Sequence, residues 1–438
     1  MKKTRKLFPI LLLTGLLTLS GCSLFNDDDI AISNSYNPKT SQTEDEGGVM
    51  VEGVRATTRE ETGDDVMYFR SICYAVDGKV ENTYKEGGVN HTEYNVNGGE
   101  DYEGNVTNYN YDLYVPDSAS RTEKHTVILF IHGGAWVSGF KMQVNPYVQE
   151  FARRGYITAT IKYTLLKKEM NDASLSIFRD LDEIDACIKS IKRALEDEDL
   201  GFDTTKTELV IGGASSGSHL AMLYSYSRGA AAALPIKFIV DAVGPVDIKP
   251  DCWKTFKHVS GEEGDAAYQA LVDGGIEYDN IQTAQANGDI YPLGIAGFSY
   301  PWNEYQTMRI ANGMCGIPYS LEDIEASTDE EKANVVNPNS ASESMLKAGG
   351  GEDQLSVTYW MSPSNKIPMI CAYAGKDPIV GINQFATLQH EMESNGMVKG
   401  TDYEFFYFPN SSHEQITDEA NHEVYQAFIQ KVDDWCKA

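Results

Sequence analysis

Two periods of hydrophobic residues alternate along most of the chain. Thr126-Val127-Ile128-Leu129-Phe130-Ile131 is almost continuously apolar, the pattern of a strand covered on both faces. Short runs rich in Tyr, Val, Ile and Phe at 67–76, 108–115, 156–163, 208–211, 236–243, 367–373 and 403–408 predict further strands. Between them, Leu175, Phe178, Leu181, Ile184, Ile188, Ile191 and Leu195 recur at steps of three or four, which draws one apolar stripe along a helix. Helices are also predicted near 216–227 and, as a closing amphipathic element, at 422–435. Strand and helix in series give an α/β protein with a mostly parallel sheet covered on both faces.

One stretch breaks the rhythm. About residues 250–362 carry no regular alternation and are rich in Gly, Asn, Tyr and Trp, as in Ala296-Gly297-Phe298-Ser299-Tyr300-Pro301-Trp302. A connection that long inside a compact domain is usually functional, so it reads as a cap-like insertion within a domain spanning residues 65–438.

Charge narrows the function classes. The 438 residues hold 36 basic and 65 acidic side chains, a net charge of −29. Such a surface repels phosphate backbones and argues against nucleic-acid binding and polyanionic substrates. With 25 Tyr, 16 Phe and 5 Trp, the chain is too aromatic to be disordered throughout.

The first residues read as an address. Lys2, Lys3, Arg5 and Lys6 precede an apolar run at 7–19, too short to span a bilayer comfortably. Leu19-Ser20-Gly21-Cys22 follows and resembles the bacterial lipoprotein signal. That resemblance implies that residues 1–21 are removed and that Cys22 takes the lipid. The product would be an exported protein held at the cell membrane or cell surface by its lipid alone. Residues 22–64 are polar and acidic, including Asp27-Asp28-Asp29 and Glu44-Asp45-Glu46, and read as a flexible tether. Export permits disulfides among the remaining six cysteines. Cys187 and Cys371 lie in apolar elements and are expected as buried thiols, while Cys252 and Cys315 share the irregular insertion and could pair. No Cys-x-x-Cys or clustered Cys/His spacing points to a metal, and no cofactor is implied.

Three constellations carry chemistry. Gly213-Ala214-Ser215-Ser216-Gly217 stands between a predicted strand and a predicted helix, where a sharp turn lifts a serine oxygen above the sheet. The glycine frame selects Ser215 over Ser216 and Ser218. His132-Gly133-Gly134-Ala135-Trp136 ends the strand at 126–131. Its two glycines leave bare amides able to face an oxyanion.

This pair of motifs resembles the α/β-hydrolase esterases and lipases of the hormone-sensitive-lipase-like and feruloyl- or acetyl-esterase-like groups. Asn108-Tyr-Asn-Tyr-Asp-Leu-Tyr-Val-Pro116 and Gly201-Phe-Asp203 resemble neighbouring segments of those enzymes. The resemblance implies an α/β-hydrolase fold and a Ser, acid, His order of catalytic groups. Ala374-Gly375-Lys376-Asp377-Pro378 resembles the turn that bears the acid, which gives Asp377, and Pro409-Asn410-Ser411-Ser412-His413 matches the late histidine. Competing acids are Asp247 and Glu414. His219, His258, His390 and His422 compete less well as bases, because only His413 follows a late strand with a turn. The expected set is Ser215 as nucleophile, His413 as base, Asp377 as its partner, and the amides of Gly133, Gly134 and Ser216 for the oxyanion. The corresponding activity is hydrolysis of carboxylic esters, small or carbohydrate-linked, through an acyl-enzyme. A non-catalytic binding module on the same scaffold and a peptidase of the same fold stay open. A peptidase would normally bring a propeller domain, for which the residues ahead of Thr126 leave no room.

Overall fold

The computed structural model describes residues 54–57, 65–74, 109–166, 176–197, 200–248, 352–375, 377, 379–408, 411–413 and 422–438. It also describes short pieces at 79–80, 85–86, 89–90, 94–95, 255–258, 290–293 and 314. The lipid-signal and tether residues before 54, most of the insertion, Cys22, Cys252, Cys315 and Glu414 lie outside the described residues.

Among the described residues nine strands form the main sheet: β1 (Val54–Thr57), β2 (Asp65–Cys73), β3 (Asn110–Pro116), β4 (His125–Ile131), β5 (Ile157–Lys162), β6 (Thr207–Ala214), β7 (Ile236–Ala242), β8 (Met369–Ala374) and β9 (Tyr403–Phe408). They lie in the order β1-β2-β3-β5-β4-β6-β7-β8-β9. The first three junctions are antiparallel. From β5 onward every neighbour is parallel. This is the α/β-hydrolase fold, with a mostly parallel sheet and helices on its faces. Strand β1 falls inside the stretch read from sequence as a tether, and it pairs antiparallel with β2 along the sheet edge.

The longer helices among the described residues are α1 (Asn145–Arg153), α2 (Ile177–Glu196), α3 (Ser216–Arg228), α4 (Ile382–Ser394) and α5 (His422–Lys437). The stripe Ile177, Leu181, Ile184, Ile188, Ile191 and Leu195 of α2 is buried and belongs to one core cluster with Leu129, Ile131 and Ile211. Phe428, Ile429 and Val432 of α5 pack instead with Ile128, Phe130, Val210 and Val240. The two core clusters thus take alternate residues of the same strands, which is why the strands read as unbroken apolar runs. Helix α1 was not marked by the sequence pattern. Its Tyr147, Val148, Phe151 and Ala152 are buried behind a proline at the helix start, a start that suits proline's fixed φ.

The insertion leaves and returns at one point. Val357 N–H donates to Val246 O at 2.8 Å. Ile248 N–H donates to Ser356 Oγ at 2.9 Å, and that hydroxyl donates to Asp247 Oδ1 at 2.8 Å. Gln384 of α4 accepts from the amides of Val246 and Asp247 and donates back to Asp247 O. Inside the insertion, Thr255–His258 pairs antiparallel with Ile290–Leu293, apart from the main sheet. Among the described residues no helix is long and apolar enough to cross a membrane.

Candidate active site

Parallel strands carry their following loops to one edge of the sheet, and that edge is where an open α/β sheet places its ligands. Ser215 follows β6, the glycine pair follows β4, Asp377 follows β8 and His413 follows β9. Ser215, the glycine pair, Asp377 and His413 therefore stand at the same edge, although 280 positions separate Gly133 from His413.

Ser215 sits at the cap of α3 with φ 54° and ψ −124°. A side chain at positive φ is costly and is kept where the surroundings enforce it. Here Ser215 N–H donates to Ala242 O at 2.8 Å, and Ser215 O accepts from His219 N–H at 3.1 Å. The turn is tight because Gly213 and Gly217 back onto each other, and a Cβ on Gly217 would collide with the carbonyl oxygens of Ile131 and His132. Ser215 is half-buried, whereas Ser216 and Ser218 are fully buried. The Ser218 hydroxyl is a strut: it donates to Gly213 O at 2.5 Å and accepts from Ala242 N–H at 2.9 Å.

Gly133 lies against this turn. A Cβ built on it would stand 3.1 Å from Ser215 Cβ and 2.8 Å from Ala214 O, so only bare backbone fits there. Gly134 has φ +125°, a conformation open to glycine. Ala135 and Trp136 continue the bend at φ 52° and 62°. The Gly134 carbonyl accepts from Val137 N–H, Ser138 N–H and Ser138 Oγ–H.

At the far side of the edge, His413 Nδ1 meets Asp377 Oδ2 at 2.6 Å. Asp377 is buried. Its other oxygen accepts the backbone N–H groups of Ile379 and Val380 at 2.8 and 2.9 Å. A carboxylate held by two amides can only accept at Nδ1, so the imidazole proton sits on Nδ1 and Nε2 is the basic nitrogen. Asp247, the competing acid, is instead tied to Ser356 at the foot of the insertion.

His219 does different work. Trp136 Nε1–H donates to its Nδ1 at 3.2 Å, and its Nε2 contacts Leu355 O at 2.7 Å. An acceptor at Nδ1 and a carbonyl at Nε2 fix the neutral Nε2–H tautomer. Burial pushes this imidazole down to about 4. The ring thereby links the glycine loop, α3 and the returning end of the insertion. Sequence reasoning weighed it only as a weaker competing base and missed this link, which Trp136 alone, 83 positions away, does not announce.

Asp241, at the end of β7, is fully buried, and its Oδ1 accepts Gly244 N–H at 2.8 Å. Burial pushes its carboxyl up to about 7, against the hydrogen bonds from Tyr373, Gly244 and Ser218 that hold it down. The folded chain therefore keeps a proton that the unfolded chain releases near pH 4, and stability is lost as pH rises toward about 7. Asp241→Asn cannot ionise. Between about pH 4.5 and about pH 8 it should gain on the wild type by on the order of 4 kcal/mol, read from urea unfolding at both pH values. A constant difference between the two proteins would contradict the buried neutral acid.

Among the described residues no cluster of His, Cys, Asp or Glu could hold a metal ion. Cys187, Cys371 and Cys436 are free and buried.

Residues 111–287 match the BD-FAE family model. That match, over 177 of the 438 residues, supports an esterase-type hydrolase on the α/β-hydrolase fold described above. The matched residues take in the glycine loop and Ser215 and end before Asp377 and His413. Among solved structures, the chain is similar to esterase B from Lactobacillus Rhamnosis, at 14% identity and TM-score 0.44 over 75% of this chain and 81% of that one. It is also similar to the butyrate-bound form of a thermophilic esterase from the Planctomycetes species Thermogutta terrifontis, at 15% identity and TM-score 0.43 over 75% of this chain and 90% of that one. No curated protein matches the chain.

Proposed function

We propose that the protein hydrolyses small carboxylic esters through Ser215, His413 and Asp377. The observation that carries the reading is the 2.6 Å contact between His413 Nδ1 and a buried carboxylate already held by two amides. A surface histidine has no need of such an acceptor, whereas a general base does: the carboxylate fixes the tautomer and stabilises the imidazolium that forms. In this scheme His413 Nε2 takes the Ser215 proton as the hydroxyl oxygen bonds to the ester carbonyl carbon. The carbonyl oxygen becomes an oxyanion held by the amides of Gly133, Gly134 and Ser216, the last at the start of α3, where the helix dipole favours negative charge. Collapse expels the alcohol, which receives the proton from His413. Water then repeats the sequence on the acyl-enzyme.

The competing serines support the choice of Ser215, since both are buried and Ser218 is committed to backbone partners. Labelling with a fluorophosphonate probe tests the reading. One phosphonyl adduct on the peptide that contains Ser215, with loss of ester turnover in step, is the expected result. A protein that hydrolyses esters but carries the adduct on another residue overturns the assignment, and one that does neither favours a binding module on the same scaffold.

We further propose that the enzyme works outside the cytoplasm, tethered through a lipid on Cys22. The basic cluster Lys2–Lys6, the apolar run at 7–19 and the Leu-Ser-Gly-Cys sequence support this. The acidic surface suits neutral esters, including those on sugars, better than polyanions.

A further inference from the structure

Two of the three amides proposed for the oxyanion, those of Gly133 and Gly134, belong to peptide units whose carbonyls are gripped from behind. In a trans peptide the C=O and the following N–H point in opposite directions, so whatever fixes one fixes the other. The unit joining His132 to Gly133 presents His132 O, which accepts from the Tyr163 hydroxyl at 3.3 Å. The next unit presents Gly133 O, which meets His132 Nδ1 at 2.8 Å. A carbonyl only accepts, so Nδ1 carries the proton.

The pair that does the gripping is itself immobilised. The His132 and Tyr163 rings stack, with centroids 4.4 Å apart and planes 16° from parallel. Both residues are fully or almost fully buried, at 0% and 1% exposure. Tyr163 directly follows β5, and the next residue is anchored on α2: Thr164 N–H and Thr164 Oγ–H both donate to Glu183 at 2.7 Å. Glu183 is balanced by Arg179 at 3.1 Å. Two residues further on, Leu166 N–H donates to Trp136 O at 2.8 Å. Residues 163–166 thus run as a strap alongside the glycine loop, bonded to it at both ends. Burial also pushes the His132 imidazole down to about 4, so its Nδ1 proton is shared with no second charge state at neutral pH.

We infer that Tyr163 and His132 are positioning residues for the oxyanion-binding amides, Tyr163 orienting the Gly133 N–H and His132 the Gly134 N–H. The inference rests on the Ser215 reading proposed above. Neither side chain touches the reacting atoms in this scheme. Each acts through the peptide unit it holds, and loss of aim at a preorganised donor is felt in the transition state more than in substrate binding.

Three variants test it. Tyr163→Phe keeps the stacked ring and removes the hydroxyl. His132→Leu removes the donor. His132→Asn restores a donor close to the Nδ1 position. Each is measured for kcat and KM on a short aryl ester per fluorophosphonate-titrated site, for affinity toward a trifluoromethyl ketone whose hemiketal oxyanion mimics the intermediate, and for Tm. The expected losses in kcat are about tenfold for Tyr163→Phe and about 100-fold for His132→Leu, with KM little changed, and His132→Asn should recover to within about tenfold of the wild type. Trifluoromethyl ketone affinity should fall by the same factor as kcat/KM. A purely structural role would lower Tm while leaving kcat per titrated site and ketone affinity unmoved, and that result overturns the inference, as does a His132→Asn enzyme no faster than His132→Leu. If His132→Leu does not fold, Tyr163→Phe and His132→Asn decide by the same readings. A wild-type protein that neither labels nor turns over ester removes the Ser215 reading, and this inference with it. Active wild type with equally active variants removes the inference alone.

Discussion

Ser215→Ala should lower kcat for short aryl esters by at least about 10⁴-fold and leave the fold intact. The loss is that large because neither neighbouring hydroxyl can take over. Ser216 and Ser218 are buried, and the Ser218 oxygen already has backbone partners on both sides. The fold should survive because the bend at φ 54° is enforced by backbone bonds to Ala242 and His219, not by the Ser215 side chain. Alanine tolerates positive φ about as poorly as serine does, so the strain is unchanged. Steady-state turnover and a thermal melt on the same preparation check the expectation. A variant within tenfold of the wild type would remove Ser215 from the reaction.

Asp377→Asn should cost about 10⁴-fold in kcat, a scale set by the corresponding change in serine proteases. The argument is one of tautomers. In the wild type the carboxylate can only accept, so the His413 proton is held on Nδ1 and Nε2 stays basic. An asparagine can turn its NH₂ toward Nδ1, which then becomes the acceptor and moves the proton to Nε2, where it faces the nucleophile. The two amides of Ile379 and Val380 favour that orientation, because they need an oxygen opposite them and leave the NH₂ for His413. Asp247→Asn is the contrast, since its carboxyl serves Ser356 at the foot of the insertion. Its kcat should stay within about threefold of the wild type. If the Asp247 variant is the crippled one, the acid has been misassigned.

The parallel half of the sheet was legible because its strands are buried on both faces, and burial on both faces writes an unbroken apolar run into the sequence. The stripe of α2 was legible for the complementary reason, a period near 3.6 over twenty residues. Helix α1 was not, since nine residues with only four buried positions give too short a stripe to stand out. Strand β1 escaped because four residues, Val-Arg-Ala-Thr, at a sheet edge inside a polar stretch carry almost no pattern. In the site, the local turns were readable from their glycines. The partnerships were not: Trp136 with His219, Tyr163 with His132 and Ser356 with Asp247 join residues 31 to 109 positions apart. Each partner taken alone is an ordinary buried polar group. Only the folded sheet edge shows that these bonds converge on the same two loops.

The stitched neck at Val246 and Val357 has a further consequence. Because the departing and returning segments are bonded to each other at Val246–Val357, Ile248–Ser356 and Asp247–Ser356, the ends of the excursion are fixed whatever its length, and the entropy of closing a long excursion grows only slowly with that length. Changes of length beyond the neck should therefore cost the sheet little stability, so the excursion is the part of the chain most open to revision.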